Sequence, residues 1–197
     1  DYIRFVSDLV MKQNSSETSK LDNEAIENTP DGSSHPYFYK GDGKINFTDV
    51  SESWGTASMK GYFNGASYAD LNNDGNLDMV INCLNARAMI LKNKLPAKNT
   101  LDLVFKGNDK NTNGIGVKAW IYTKGKMQYQ QLMSSRGFQS SCDLKLHFGL
   151  DSIRYIDSML IVWPNQKYQR FKNTPAKGLI EINQAHAGGY FDYNTFF

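Results

Sequence analysis

The sequence predicts a mainly β fold in two parts, an antiparallel sheet and a β-sandwich-like domain, preceded by a short N-terminal helix. Three observations carry this. Short runs of Val, Ile, Leu, Tyr and Phe recur along the chain between Gly- or Asn-rich turns. Aromatic residues make up 13% of the 197 positions, with 11 Tyr and 11 Phe, an enrichment that suits sheets. From Asp70 to Asp78, oxygen-bearing side chains alternate in a loop whose flanks read as strands, not helices.

In chain order, Tyr2, Phe5, Val6, Leu9 and Val10 fall on one helical face, with Asp1 as a cap and Lys12 near the end. The chain opens on Asp1 and not Met, and is expected to be a piece of a longer protein. Residues 14–34 are polar and broken by Asn28-Thr29-Pro30-Asp31-Gly32, so 1–35 reads as helix and linker. Residues 36–96 form the first β part. Tyr37–Lys40 and Lys44–Val50 are the arms of a hairpin around Gly41-Asp42-Gly43. A loop with Trp54 follows, then a strand ending at the acidic loop, then strands at Met79–Cys83 and Ala88–Lys92. Pro96-Ala97-Lys98-Asn99 marks the boundary. In 97–185, strands are expected at Leu101–Lys106, Gly116–Thr123, Met127–Met133, Leu144–Phe148, Ser158–Trp163, Tyr168–Lys172 and Leu179–Asn183. Strands at this spacing suit a sandwich or barrel. The tail, 186–197, is very aromatic for a free end, which points to neighbours outside this stretch.

Charge and motifs exclude several functions. Lys plus Arg is 22 and Asp plus Glu is 20, a net +2 too balanced to argue for nucleic acid or an anionic membrane. No apolar run reaches the length of a membrane span. Cys83 and Cys142 form no C-x-x-C pair and read as buried free thiols, with one disulfide between them as the alternative. Phosphate-loop, nucleophile-elbow and zinc-helix patterns are absent, and Gly114-Ile115-Gly116 lacks the third Gly of a dinucleotide fingerprint.

The residues that point to chemistry are few. Asp70, Asn72, Asp74 and Asp78 offer side-chain oxygens, Asn76 its carbonyl, and Gly75 stands where a chain wrapping an ion must turn. Calcium is the cation such a set takes, and its role would be structural. Ile81 stands where an EF-hand needs a bidentate Glu, so a sensor is excluded. The alternative is an empty Asn/Asp-rich turn. His147 follows Leu144 and Leu146 in a strand pattern and reads as a hydrogen-bonded structural His, too far along the strand from Asp143 for contact. Arg136 offers a fork for a carboxylate or phosphate, with a structural contact as the alternative. Trp54, on a loop, is a candidate sugar contact. Trp163 reads as core, and the face of Trp120 is undecided. A pair of catalytic carboxylates would leave no sequence pattern.

Tyr39–Val50 together with Asn64–Asp78 resembles an FG-GAP/VCBS repeat, a blade of integrin-like propellers whose acidic loops bind calcium. Four motifs downstream are similar to the ASPIC/UnbV domain found beside such repeats. They are Asn113–Lys118, Ser135-Arg136-Gly137-Phe138-Gln139-Ser140-Ser141, His147-Phe148-Gly149-Leu150 and Val162-Trp163-Pro164. Two departures stand out: Asp151 and Asn165-Gln166 replace glycines common in the family. Asn tolerates a left-handed backbone, so the second turn is expected to survive. The resemblance implies a secreted or cell-envelope protein with no general catalytic role. One blade cannot close a propeller, so neighbouring blades of the parent protein are expected partners. The combined reading is a calcium-stabilised, non-enzymatic module for binding or adhesion to a glycan or protein. The alternative is an accessory or catalytic part of an envelope polysaccharide-processing enzyme.

Overall fold

A computed structural model describes residues 27–108 and 110–195. The expected N-terminal helix lies outside the described residues. The chain divides into two compact units, Asp1–Phe63 and Asn64–Phe197.

In the first unit β1 (Tyr39–Gly41) and β2 (Phe47–Asp49) form an antiparallel hairpin with Gly41 opposite Phe47. The turn is longer than Gly41-Asp42-Gly43 alone. The Asp42 carboxylate accepts the Lys44 backbone N–H at 2.7 Å and the Asn46 amide at 2.9 Å, so residues 42–46 are taken up by the turn. Elsewhere in this unit, Asp31 accepts from Lys60 at 2.7 Å and from the Tyr62 hydroxyl at 2.9 Å. The Lys60 ammonium, the Ser33 N–H and the Tyr62 hydroxyl hold this carboxyl far below the ordinary range.

The second unit carries the remaining strands. A three-stranded sheet has the order β3-β4-β5, from Phe63–Ala69, Asp78–Cys83 and Met89–Leu91. The five strands between Tyr39 and Leu91 therefore make two sheets instead of one. Next come β6 (Asn99–Lys106), β7 (Lys118–Thr123), β8 (Lys126–Gln131), β9 (Lys145–Asp151), β10 (Tyr155–Val162), β11 (Tyr168–Pro175) and β12 (Gly178–Asn183). They form two open sheets, β11-β10-β7-β8 and β12-β6-β9. The β12–β6 pairing is parallel and the other pairings of these two sheets are antiparallel.

Alternation explains the core. Every second residue of a strand faces the same side. Leu101, Leu103 and Phe105 of β6 and Leu146, Phe148 and Leu150 of β9 face inward from one sheet. Ala119 and Ile121 of β7 and Met159 and Ile161 of β10 face inward from the other, and all join one buried cluster with Ile156 and Trp163. Trp163 also donates its indole N–H to Gln169 at 3.0 Å. The outer face of the four-stranded sheet is apolar too. There Trp120, Leu160 and Val162 are buried with Phe191 from the tail. Phe191 and Tyr193 of the tail thus pack within the unit. Both cysteines are buried and free.

Turn chemistry fixes the register. Lys124 and Gly125 both have positive φ, 47° and 75°, and Thr123 pairs with Lys126 across a two-residue turn. Gln128 and Gln130 of the edge strand β8 donate to the carbonyls of Gly149 and His147 at 3.0 and 2.6 Å, tying it to the edge strand β9. Asp151 adopts φ 51°, the left-handed conformation a glycine would take without strain. In the second departure the left-handed residue is Gln166, with φ 63°, and not Asn165.

Gly114 has φ 67°, and a Cβ there would lie 2.8 Å from Cβ of Phe105 and 3.1 Å from the Trp163 ring. Gly114→Ala is expected to lose about 3 kcal/mol of stability, from left-handed strain plus overpacking. Gln166→Gly is expected to gain about 0.5 kcal/mol by relieving the same strain. Urea unfolding of the two variants beside the native chain checks both signs.

Candidate functional site

Residues 70–77 join β3 to β4, and the loop is folded around its own carboxylates. Asp70 accepts the N–H groups of Asp74 at 3.1 Å and Gly75 at 2.8 Å. Asn72 accepts the Asp74 N–H and gives its amide to the Asp74 carboxylate at 2.8 Å. Asp74 in turn accepts the Asn76 N–H at 2.9 Å. Asp78, 4% exposed, accepts from Leu71 at 3.3 Å and from Asn93 at 2.8 Å. Asn76 turns its amide to the Leu95 carbonyl at 3.0 Å. Gly75, with φ 87°, makes the sharp turn that the spacing requires.

The electrostatics follow from these bonds. The Asn76 N–H, then the Asn72 amide, hold Asp74 below its ordinary pKa, with a smaller contribution from Lys92 at 3.8 Å. A depressed carboxylate stabilises the fold above its unfolded pKa, and that support is lost as the pH falls through the folded value. An ionised carboxylate has about four acceptor sites, so these N–H bonds leave lone pairs for a further partner. Three carboxylates, the Asn72 side-chain oxygen and the Asn76 carbonyl are oxygen donors of the kind a hard cation takes. Among the described residues, no three His, Cys, Asp or Glu groups converge as a ready ligand cluster.

Beside this loop lies a groove of about 460 Å³. Its walls come from Tyr68 of β3, Leu77 of the acidic loop, residues 129–133 at the end of β8 and just after it, and Arg136, Asp143, Lys145 and His147. The segment bearing Arg136 is fastened to β3. Ser140 Oγ accepts the Ala66 N–H at 3.2 Å, and Ser67 donates to the Ser141 carbonyl at 2.7 Å. The Arg136 guanidinium donates to the Gln131 carbonyl at 2.6 Å and makes no ion pair among the described residues.

The floor is polar because β6 and β9 turn their outer faces to it. Asp102 sits opposite His147 in the ladder and meets its Nδ1 at 2.6 Å. Lys145 reaches Asp102 at 3.1 Å and Asp143 at 3.4 Å. Burial acts to lower the Lys145 pKa, but the two carboxylates outweigh it and hold the ammonium above its ordinary value. Burial pushes the Tyr68 hydroxyl up, partly opposed by the Arg136 charge.

His147 is hydrogen-bonded, as its setting suggested, to Asp102, and Asp143 pairs with Lys145. The partner Asp102 was not foreseen. Its signal was the polar position in Leu101-Asp102-Leu103, legible only once the β6–β9 register is known. Trp54 is exposed in the first unit, its ring 5.5 Å from Phe38, whereas Arg136 belongs to the second.

Residues 107–189 match the family model of ASPIC and UnbV. The match covers less than half of the chain. It takes in β7 to β12 and the groove residues from Tyr129 to His147, but neither the acidic loop nor β6. No curated protein matches the chain. Among the described residues, no helix is long and apolar enough to cross a membrane.

Asp78→Ala would leave the N–H groups of Leu71 and Asn93 without their acceptor. A loss of about 2 kcal/mol or more is expected whether or not any ion is present. Urea unfolding in chelator checks this.

Proposed function

We propose that the chain is a calcium-stabilised, non-enzymatic binding module of a secreted or cell-envelope protein. The observation that carries the reading is the acidic loop. Its carboxylates are arranged by backbone N–H groups between two strands, and its Leu77 forms part of the groove wall. Asp70, Asn72, Asp74 and Asp78 would hold the ion by side-chain oxygens and Asn76 by its carbonyl. The ion would offset the repulsion of three carboxylates.

The FG-GAP/VCBS likeness of 39–78 supports the same reading, and so does the ASPIC/UnbV match, a domain of secreted and envelope proteins. On this view β3–β5 belongs with blades of the parent protein, and β6–β12 is a sandwich-like domain. The groove favours binding over hydrolysis. Asp143 is the carboxylate lining it, and Asp102 behind it is tied to Lys145 and His147. The ligand is a glycan or a protein.

Extracellular calcium modules commonly bind in the range of about 10⁻⁴ to 10⁻³ M. At 10 mM calcium the fold should gain about 1.4–2.7 kcal/mol. Thermal melts in calcium and in chelator should differ by several degrees, and Asp70→Asn with Asp74→Asn should abolish the difference. Identical melts of the native chain in the two buffers would refute the calcium reading.

A further inference from the structure

We infer that the groove beside the acidic loop binds a carboxylate-bearing sugar, of the uronic-acid class, with the acid on Arg136. The inference rests on reading the chain as a binding module, and not on the calcium part of that reading.

The groove has an accounting of charge that singles out one cation. Lys145 is already engaged by Asp102 and Asp143, and Asp102 also holds His147. Arg136 makes no ion pair among the described residues. One of its terminal nitrogens is fixed on the Gln131 carbonyl, which orients the guanidinium and leaves further donors of the fork for a planar acid. A monoanion matches one free guanidinium. A phosphate dianion would face Asp143 with no second free cation to balance it.

The rest of the wall suits a polyhydroxylated ring. Leu132 exchanges both backbone bonds with the β7 side, at 2.7 Å from Gly116 and 2.8 Å to Val117. Antiparallel pairs alternate, so Tyr129 and Gln131 point their backbone groups away from β7, along the free edge. Tyr129 packs against Trp120 at 4.9 Å yet stays 45% exposed, which leaves ring surface for the C–H face of a sugar. Gln131 and Asp143 supply hydrogen-bonding groups for hydroxyls. The volume lies within the range of about 300–1,000 Å³ usual for small-ligand sites.

The test is calorimetric titration of the full 197-residue chain with trigalacturonate, with the matching neutral galactose trimer, and with an acidic tripeptide. Each is run in calcium and in chelator, because calcium also binds uronates. Trigalacturonate should bind at least tenfold tighter than the neutral trimer or the peptide. Arg136→Gln should remove that preference in a chain that still unfolds cooperatively, and Arg136→Lys should restore part of it. Equal affinity for the neutral trimer, tighter binding of the peptide, or no binding of uronate to the folded native chain overturns the inference. So does an Arg136→Gln variant that binds uronate as the native chain does. Melts of the same samples separate the two readings: uronate binding without a calcium shift leaves this inference standing alone, and the reverse removes it alone.

Discussion

Alternation of side chains is the constraint from which the second unit follows. Each strand has two faces, and one face of both large sheets is committed to a single core. The middle strand β6 shows this best, with Leu101 and Leu103 fully buried and Phe105 nearly so. What differs between the sheets is the other face. The four-stranded sheet has Trp120, Leu160 and Val162 there and needs an apolar cover, which Phe191 provides. The three-stranded sheet has Asp102, Lys145 and His147, which satisfy one another. The groove lies where this polar face meets the free edge of β8.

The strands were legible because they are short, alternating and separated by turn residues. All seven expected after Pro96 are present, with ends displaced by a few residues. The Lys124-Gly125 hairpin was legible for a local reason, the positive φ that such a turn demands of both residues. The first hairpin was legible too, but its turn is longer than Gly41-Asp42-Gly43 because the Asp42 side chain holds residues out to Asn46 in it. Sheet membership was not legible at all. Nothing in Tyr39–Asp49 says whether it joins the strands after Phe63. The same holds for the groove, since Asp102, Lys145 and Arg136 meet only through pairing between distant strands. The acidic loop was legible because its chemistry is contiguous in sequence.

The loop and the groove share parts. Tyr68 is the last residue but one of the strand that leads into the loop, and Leu77 lies between Asn76 and the buried Asp78. Asp78 holds both the start of the loop, at Leu71, and the chain beyond β5, at Asn93. Anything that stiffens the loop therefore stiffens one wall of the groove. The acidic loop and the groove are thus joined through Asp78, one of the loop's own carboxylates, and its neighbour Leu77.

The parallel pairing of β12 with β6 bears on how the molecule is made. β6 is the central strand of its sheet, yet one of its two neighbours arrives more than seventy residues later. Closing so long a segment is slow, because its entropy must be lost before the contacts form. During synthesis, one edge of β6 stays unpaired until β12 emerges, and open strand edges invite association with other chains. The segment recognised by the family model begins just after β6. A polypeptide trimmed to that segment would separate β12 from β9 and leave a strand-wide gap in the sheet, so the unit of kinship is shorter than the unit of folding.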